Sequence, residues 1–304
     1  MRSNPLPAAL PNPNVPHFHG DAALSGWKTV ADEVHAAGGR IMPQLWHVGA
    51  PRKPNASLPP AAPSGLSVTG EVVSEPLNEA QVTALIEAYG RAAADAWRLG
   101  FDGVELHAAH GYLIDQFFWS GTNKRADRYG GDIRDRTRFA VEIINACRRQ
   151  TAPDFPIALR FSQWKIPVYD ARLATSPQEL GEFLEPMVEA GVDLFHCSTR
   201  RFWQPEFDGS PLNLAGWTKK LSGRPVITVG SVGLDNDFIA GLFSRENAAP
   251  EGLDRLVQMV DSGEVDLVAI GRALLVDPAW AEKLRDGRIS ELLPFTPDAL
   301  GTLR

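Results

Sequence analysis

Three side chains in the stretch LHAAHGYLIDQFF, Leu106 to Phe118, have types and spacing suited to chemistry: His107, His110 and Tyr112. Imidazoles three residues apart fit three tasks. As metal ligands they need a third and fourth partner; His47 or His196 could serve, although no carboxylate-rich set accompanies them. As structural groups they tie down loop backbone. As paired hydrogen-bond donors they hold a substrate oxygen that gains negative charge, with Tyr112 beside them to deliver a proton.

Two further polar residues lie inside apolar runs. Arg160 in PIALRFS is expensive to bury unless paired. It either meets a carboxylate such as Glu105 or Asp193, or stabilises an anion at the mouth of the fold. Gln44 in MPQLWH needs hydrogen-bond partners in a dry strand. Its amide matches either a heterocyclic ring or a neighbouring backbone group. The runs ITVGSVG and VAIGRALL each leave a strand through a glycine, Gly230 and Gly271, followed by Ser231 and Arg272. Such loops simply turn the chain, or their N–H groups and Arg272 bind a phosphate. Trp46, Trp119, Trp164 and Trp203 fall at or just past strand ends, where flat rings can line a pocket. Trp27, Trp97 and Trp280 lie on helical patterns and read as packing residues.

The elements that must position these groups alternate along the chain. Strands are expected over residues 40–47, 101–107, 155–162, 192–198, 224–230 and 265–271. Each is a short apolar run of the kind buried on both faces of a parallel sheet. Helical patterns lie between them over 25–38, 78–100, 134–150, 177–191 and 250–263. A βαβα order predicts a parallel sheet covered by helices, and the long connections follow the strands rather than precede them. Every unusual residue cluster, His107 and His110 included, sits on that side. The charged run NKRADRYGGDIRDRTRF reads as a structured loop before the next helix, and residues 1–20, with five prolines, as an extended arm.

A net charge of −7 argues against nucleic acid as a partner, and no apolar run of spanning length suggests a membrane protein. Two cysteines are too few for a disulfide framework, which points to a reduced, cytoplasmic setting.

Taken together, QLWH, HAAHGYLIDQFF, NKRADRYGG with RTRF, Arg160, VGSVG and IGRALL resemble the old yellow enzyme family, FMN-dependent NADH:flavin oxidoreductases and ene-reductases. The resemblance implies a single FMN-binding domain over 1–304, a TIM-type (β/α)8 barrel. About two βα units of the family pattern would precede the arm, so the chain reads as N-terminally incomplete with six parallel strands. It further implies that Gln44 and Arg160 serve the flavin ring, and that Gly230, Ser231, Gly271 and Arg272 hold its phosphate. His107 and His110, with Trp46, would bind the carbonyl of an enone-type small molecule, Tyr112 would protonate it, and NADH or NADPH would be the reductant. No metal is implied, and self-association into a homo-oligomer is left open. The alternatives are a flavin-dependent dehydrogenase or demethylase on the same barrel, and a non-catalytic truncated remnant that binds no flavin.

Overall fold

The structure is a computed structural model and describes residues 2–3, 15–51, 60–234, 252–296 and 298–299. Most of the proline-rich arm lies outside the described residues. By internal contacts the chain divides into two compact units, Met1–Phe195 and His196–Arg304.

In the first unit the strands β1 (Arg2–Ser3), β2 (Gln44–Leu45), β3 (Val104–His110) and β4 (Ile157–Lys165) pair in parallel in chain order. Strand β5 (Leu194–Ser198) begins in this unit and ends in the next. The second unit holds β6 (Val226–Val229) and β7 (Leu267–Val268), again a parallel pair. All six expected strands are present among the described residues. A seventh, β1, corrects the count. It carries no apolar run, because Arg2–Ser3 is too short to show a pattern.

Helices α1 (Asp21–Ala36), α2 (Glu79–Arg98), α4 (Arg138–Arg149) and α5 (Pro177–Glu189) match the first four patterns, with a short α3 (Leu113–Phe118) directly after β3. Helix α2 shows why they form where they do. Asn78 and Gln81 make a reciprocal cap, Gln81 N–H to Asn78 Oδ1 and Asn78 N–H to Gln81 Oε1, both 2.9 Å. Val82, Leu85, Ile86, Tyr89, Ala93 and Ala96 then recur at helical spacing and are buried. Trp97 falls off that stripe and is 50% exposed, so its expected packing role is corrected, whereas Trp27 and Trp280 are buried as expected.

The second unit adds α6 (Leu214–Ser222), α7 (Leu253–Asp261), α8 (Arg272–Val276) and α9 (Trp280–Arg285). Helix α6 was hidden in what reads as a long loop. Its start is fixed by Asn213, whose side chain accepts from Gly216 N–H at 2.9 Å.

The charged run after α3 is ordered by specific bonds. Arg125 reaches the Pro63 and Leu77 carbonyls at 2.7 and 2.5 Å, and Asn123 donates to the carbonyls of Phe117 and Tyr129 at 2.7 and 2.8 Å. Cys147 and Cys197 are buried and unbridged, and burial pushes both thiols up to about 12. No described helix is long and apolar enough to cross a membrane.

Candidate active site

Within the first unit, the ends of β3 and β4 gather one group of candidate residues. Their ladder pairs His107 with Arg160 and Ala108 with Phe161, then skips to His110 opposite Lys165. Two steps on β3 thus face four on β4, and Ser162, Gln163 and Trp164 bulge out of register. Opposite the bulge the chain turns sharply: His110 has φ +67° and Gly111 φ +80°. A histidine in the left-handed region costs about 1–2 kcal/mol, so its surroundings must hold it there.

They do so through the backbone. His110 N–H donates to Ser162 Oγ at 3.0 Å and His110 O accepts from Ile166 N–H at 3.3 Å. Gly111 N–H donates to Asp115 Oδ2 at 2.7 Å, and Gly111 O accepts from Gln116 Nε2 at 2.6 Å. Asp115 in turn meets Lys165 Nζ at 2.8 Å, an ion pair in which both side chains are 0% exposed. Burial pushes the Asp115 carboxyl above and the Lys165 ammonium below their ordinary ranges, while their mutual contact pulls each back.

Above this turn stand aromatic rings. His107 and His110 are 5.1 Å apart between centroids, edge to face, and His107 lies 5.1 Å from Tyr112. Trp46 packs edge-on against Tyr112 at 4.9 Å, and Trp164 stacks on His110 at 4.4 Å. Both histidines and Trp46 are buried, while Tyr112 and Trp164 are half-buried. Gln44 lies opposite Glu105 in the ladder and donates its amide N–H to the Glu105 carboxylate. Asp193 does not pair with Arg160. It accepts from Arg148 at 2.6 Å and from Ile157 N–H at 2.7 Å. Among the described residues no three His, Cys, Asp or Glu side chains gather to hold a metal ion.

In the second unit the pairing of Thr228 with Val268 brings the exits of β6 and β7 to the same end. Gly230, at φ +140°, carries no side chain because a Cβ would meet Thr199 O at 2.6 Å. Ser231 follows at φ +51° and its hydroxyl donates to Arg200 O at 3.0 Å. A Cβ at Gly271 would have nothing within 4 Å, and α8 starts there without a side-chain cap. The Arg272 guanidinium lies 5.4 Å over the ring of Phe295.

This arrangement belongs to a known group. The NADH:flavin oxidoreductase / NADH oxidase family model matches residues 4–249. The chain is a member of that family. An NADH oxidase from Thermoanaerobacter brockii is 34% identical over 288 residues, 90% of this chain but 40% of that protein. Chanoclavine-I aldehyde reductase from Penicillium roqueforti is 40% identical over 295 residues, 93% of this chain and 73% of that one. Morphinone reductase, solved in complex with tetrahydroNAD, superposes with a TM-score of 0.78 at 27% identity, over 98% of this chain and 79% of that structure. The resemblance to the old yellow enzymes and to their TIM-type α/β fold therefore holds.

The structure brings Trp46, His107, His110 and Tyr112 together at the strand ends of the first unit, and Gly230, Ser231, Gly271 and Arg272 at those of the second. Sequence reading missed Asp115, Gln116, Ser162 and Lys165, which shape the His110 turn. Only Lys165, a lysine closing the apolar run IALRFSQWK, gave a signal.

Proposed function

We propose that this member of the NADH:flavin oxidoreductase family is an FMN-dependent ene-reductase that uses NAD(P)H to reduce the C=C bond of α,β-unsaturated carbonyl compounds. The residues present suit the flavin. The Gln44 amide and the Arg160 cation are a donor set for the polar edge of a flavin ring, with Arg160 favouring negative charge there. Gly230 and Gly271 leave bare backbone beside Ser231, Arg272 and the uncapped start of α8, a chemistry suited to a phosphate. FMN, when bound, supplies the hydride that passes to the β-carbon of the substrate.

The chain's own groups do the rest. His107 and His110 donate hydrogen bonds to the carbonyl oxygen, which becomes negative as the β-carbon accepts hydride. Tyr112 Oη gives its proton to the neighbouring α-carbon. The rings of Trp46 and Trp164, packed on Tyr112 and His110, border the place proposed for such a flat substrate. The observation that carries this reading is the His107–His110–Tyr112 cluster on one strand end.

The test is a titration of the protein with FMN and then with a para-substituted phenol. Flavin fluorescence should be quenched stoichiometrically, and the phenol should then raise a long-wavelength charge-transfer band. A protein that leaves FMN fluorescence unchanged is not this enzyme.

A further inference from the structure

The side chains of the Asp115–Lys165 ion pair bond to none of the side chains assigned to substrate or cofactor, yet Lys165 is the ladder partner of His110 and both side chains are wholly buried. Buried pairs are weak stabilisers, because desolvation offsets their attraction, so stability does not explain this one. Its contacts do. Lys165 Nζ donates to Asp115 Oδ1 at 2.8 Å and to Ser162 O at 3.0 Å. Asp115 Oδ2 accepts from Gly111 N–H, and Ser162 Oγ accepts from His110 N–H while donating to Trp164 O at 2.8 Å. Every side-chain hydrogen bond that leaves the pair therefore ends on the left-handed His110–Gly111 turn or on the bulge that faces it.

We propose that Asp115, Lys165 and Ser162 are positioning residues for His110. Lys165 ties the β4 bulge to Asp115, Asp115 holds Gly111, and Ser162 holds His110 N–H. Together they select the one backbone conformation that stands the His110 imidazole beside His107 and under Trp164. The proposal deepens the reading of His110 as an oxygen-binding group and rests on it for its catalytic meaning. Its structural content, the placement of one ring, can be measured without flavin or substrate.

The experiment replaces the pair without leaving a lone buried charge. Asp115→Leu with Lys165→Met should fold, since apolar replacement of a buried pair is commonly neutral, but melt below the parent because Gly111 N–H loses its acceptor. In the FMN-loaded protein it should bind the phenol about tenfold more weakly, the scale of a misplaced contact group. In the flavin-free protein the ¹⁵N resonances of the His110 imidazole should move. Asp115→Asn with Lys165→Met keeps an oxygen for Gly111 N–H and should recover most of both signals. Ser162→Ala, a smaller change, should displace the same resonances and decides the matter alone if neither double variant folds. Unchanged His110 resonances in the folded variants overturn the proposal. A His110→Ala protein that binds phenol as tightly as the parent instead overturns the oxygen-binding reading, and the resonances still decide the placement.

Discussion

Replacing His110 by glycine and by alanine should separate what its ring does from what its backbone endures. Both substitutions remove the imidazole and its stack on Trp164, so those losses cancel in the comparison. What differs is the Cβ. At φ +67° an alanine keeps the left-handed penalty of about 1–2 kcal/mol, which glycine escapes. Glycine loses more chain entropy on folding, about 0.5–1 kcal/mol. The balance leaves His110→Gly more stable than His110→Ala by about 0.5–1 kcal/mol, or roughly 1–2 °C in melting temperature for a protein of this size. Both variants should bind the phenol some ten- to a hundredfold more weakly, as expected for loss of one hydrogen bond to a charged oxygen, about 1.5–3 kcal/mol. Thermal melts of the two proteins at matched FMN, followed by phenol titration at the charge-transfer band, read both quantities. An alanine variant at least as stable as the glycine variant would refute the strained turn. Phenol affinity unchanged in both would refute the clamp.

Tyr112→Phe should leave reduction of the flavin by NAD(P)H near normal and slow reoxidation by an enone on the order of 10²–10⁴-fold, as measured by stopped flow; equal slowing of both half-reactions removes the proton-donor role. Arg272→Ala should weaken FMN binding by about 1.5–3 kcal/mol in a fluorescence titration. It should also cost about 0.5–1 kcal/mol of stability through the lost contact over Phe295, and unaltered FMN affinity would free the residue from the phosphate. The hydrogen-bonded Arg125 guanidinium holds the Asp127 carboxyl below its ordinary range, so its contribution is present above the unfolded pKa and lost as pH falls through the folded one. Asp127→Asn should therefore destabilise at neutral pH by at most about 1 kcal/mol, because the carboxylate is half exposed and screened. That gap should close in denaturation curves taken at progressively lower pH.

The sequence carried the strands, the helices and the chemical types at the strand ends because each is a local pattern. The runs 101–107 and 155–162 read as strands, which the structure carries on to His110 and Lys165. Contacts across fifty residues leave no such mark. Asp115 looks like one polar residue of a helix and Lys165 like the end of a strand, and nothing in their spacing announces that they meet. The left-handed state of His110 is hinted at only by the glycine after it. Helix α6 escaped notice because its capping Asn213 follows a run of turn-forming residues. Strand β1 escaped because its partner Gln44–Leu45, not its own composition, makes it a strand.

The excess of two residues on β4 opposite the end of β3 carries a rule of parity. Side chains alternate faces along a strand, so an even excess returns the chain to the same face and an odd one inverts it. Lys165 resumes the ladder on the side from which it can reach Asp115. Shortening Ser162–Trp164 by one residue should turn Lys165 away from Asp115 and strand the carboxylate. Shortening it by two should keep the face while drawing the ladder straight and abolishing the bend at His110. Natural or designed length changes at this point should therefore be tolerated in pairs, so that the arithmetic of the backbone limits how this strand end can vary.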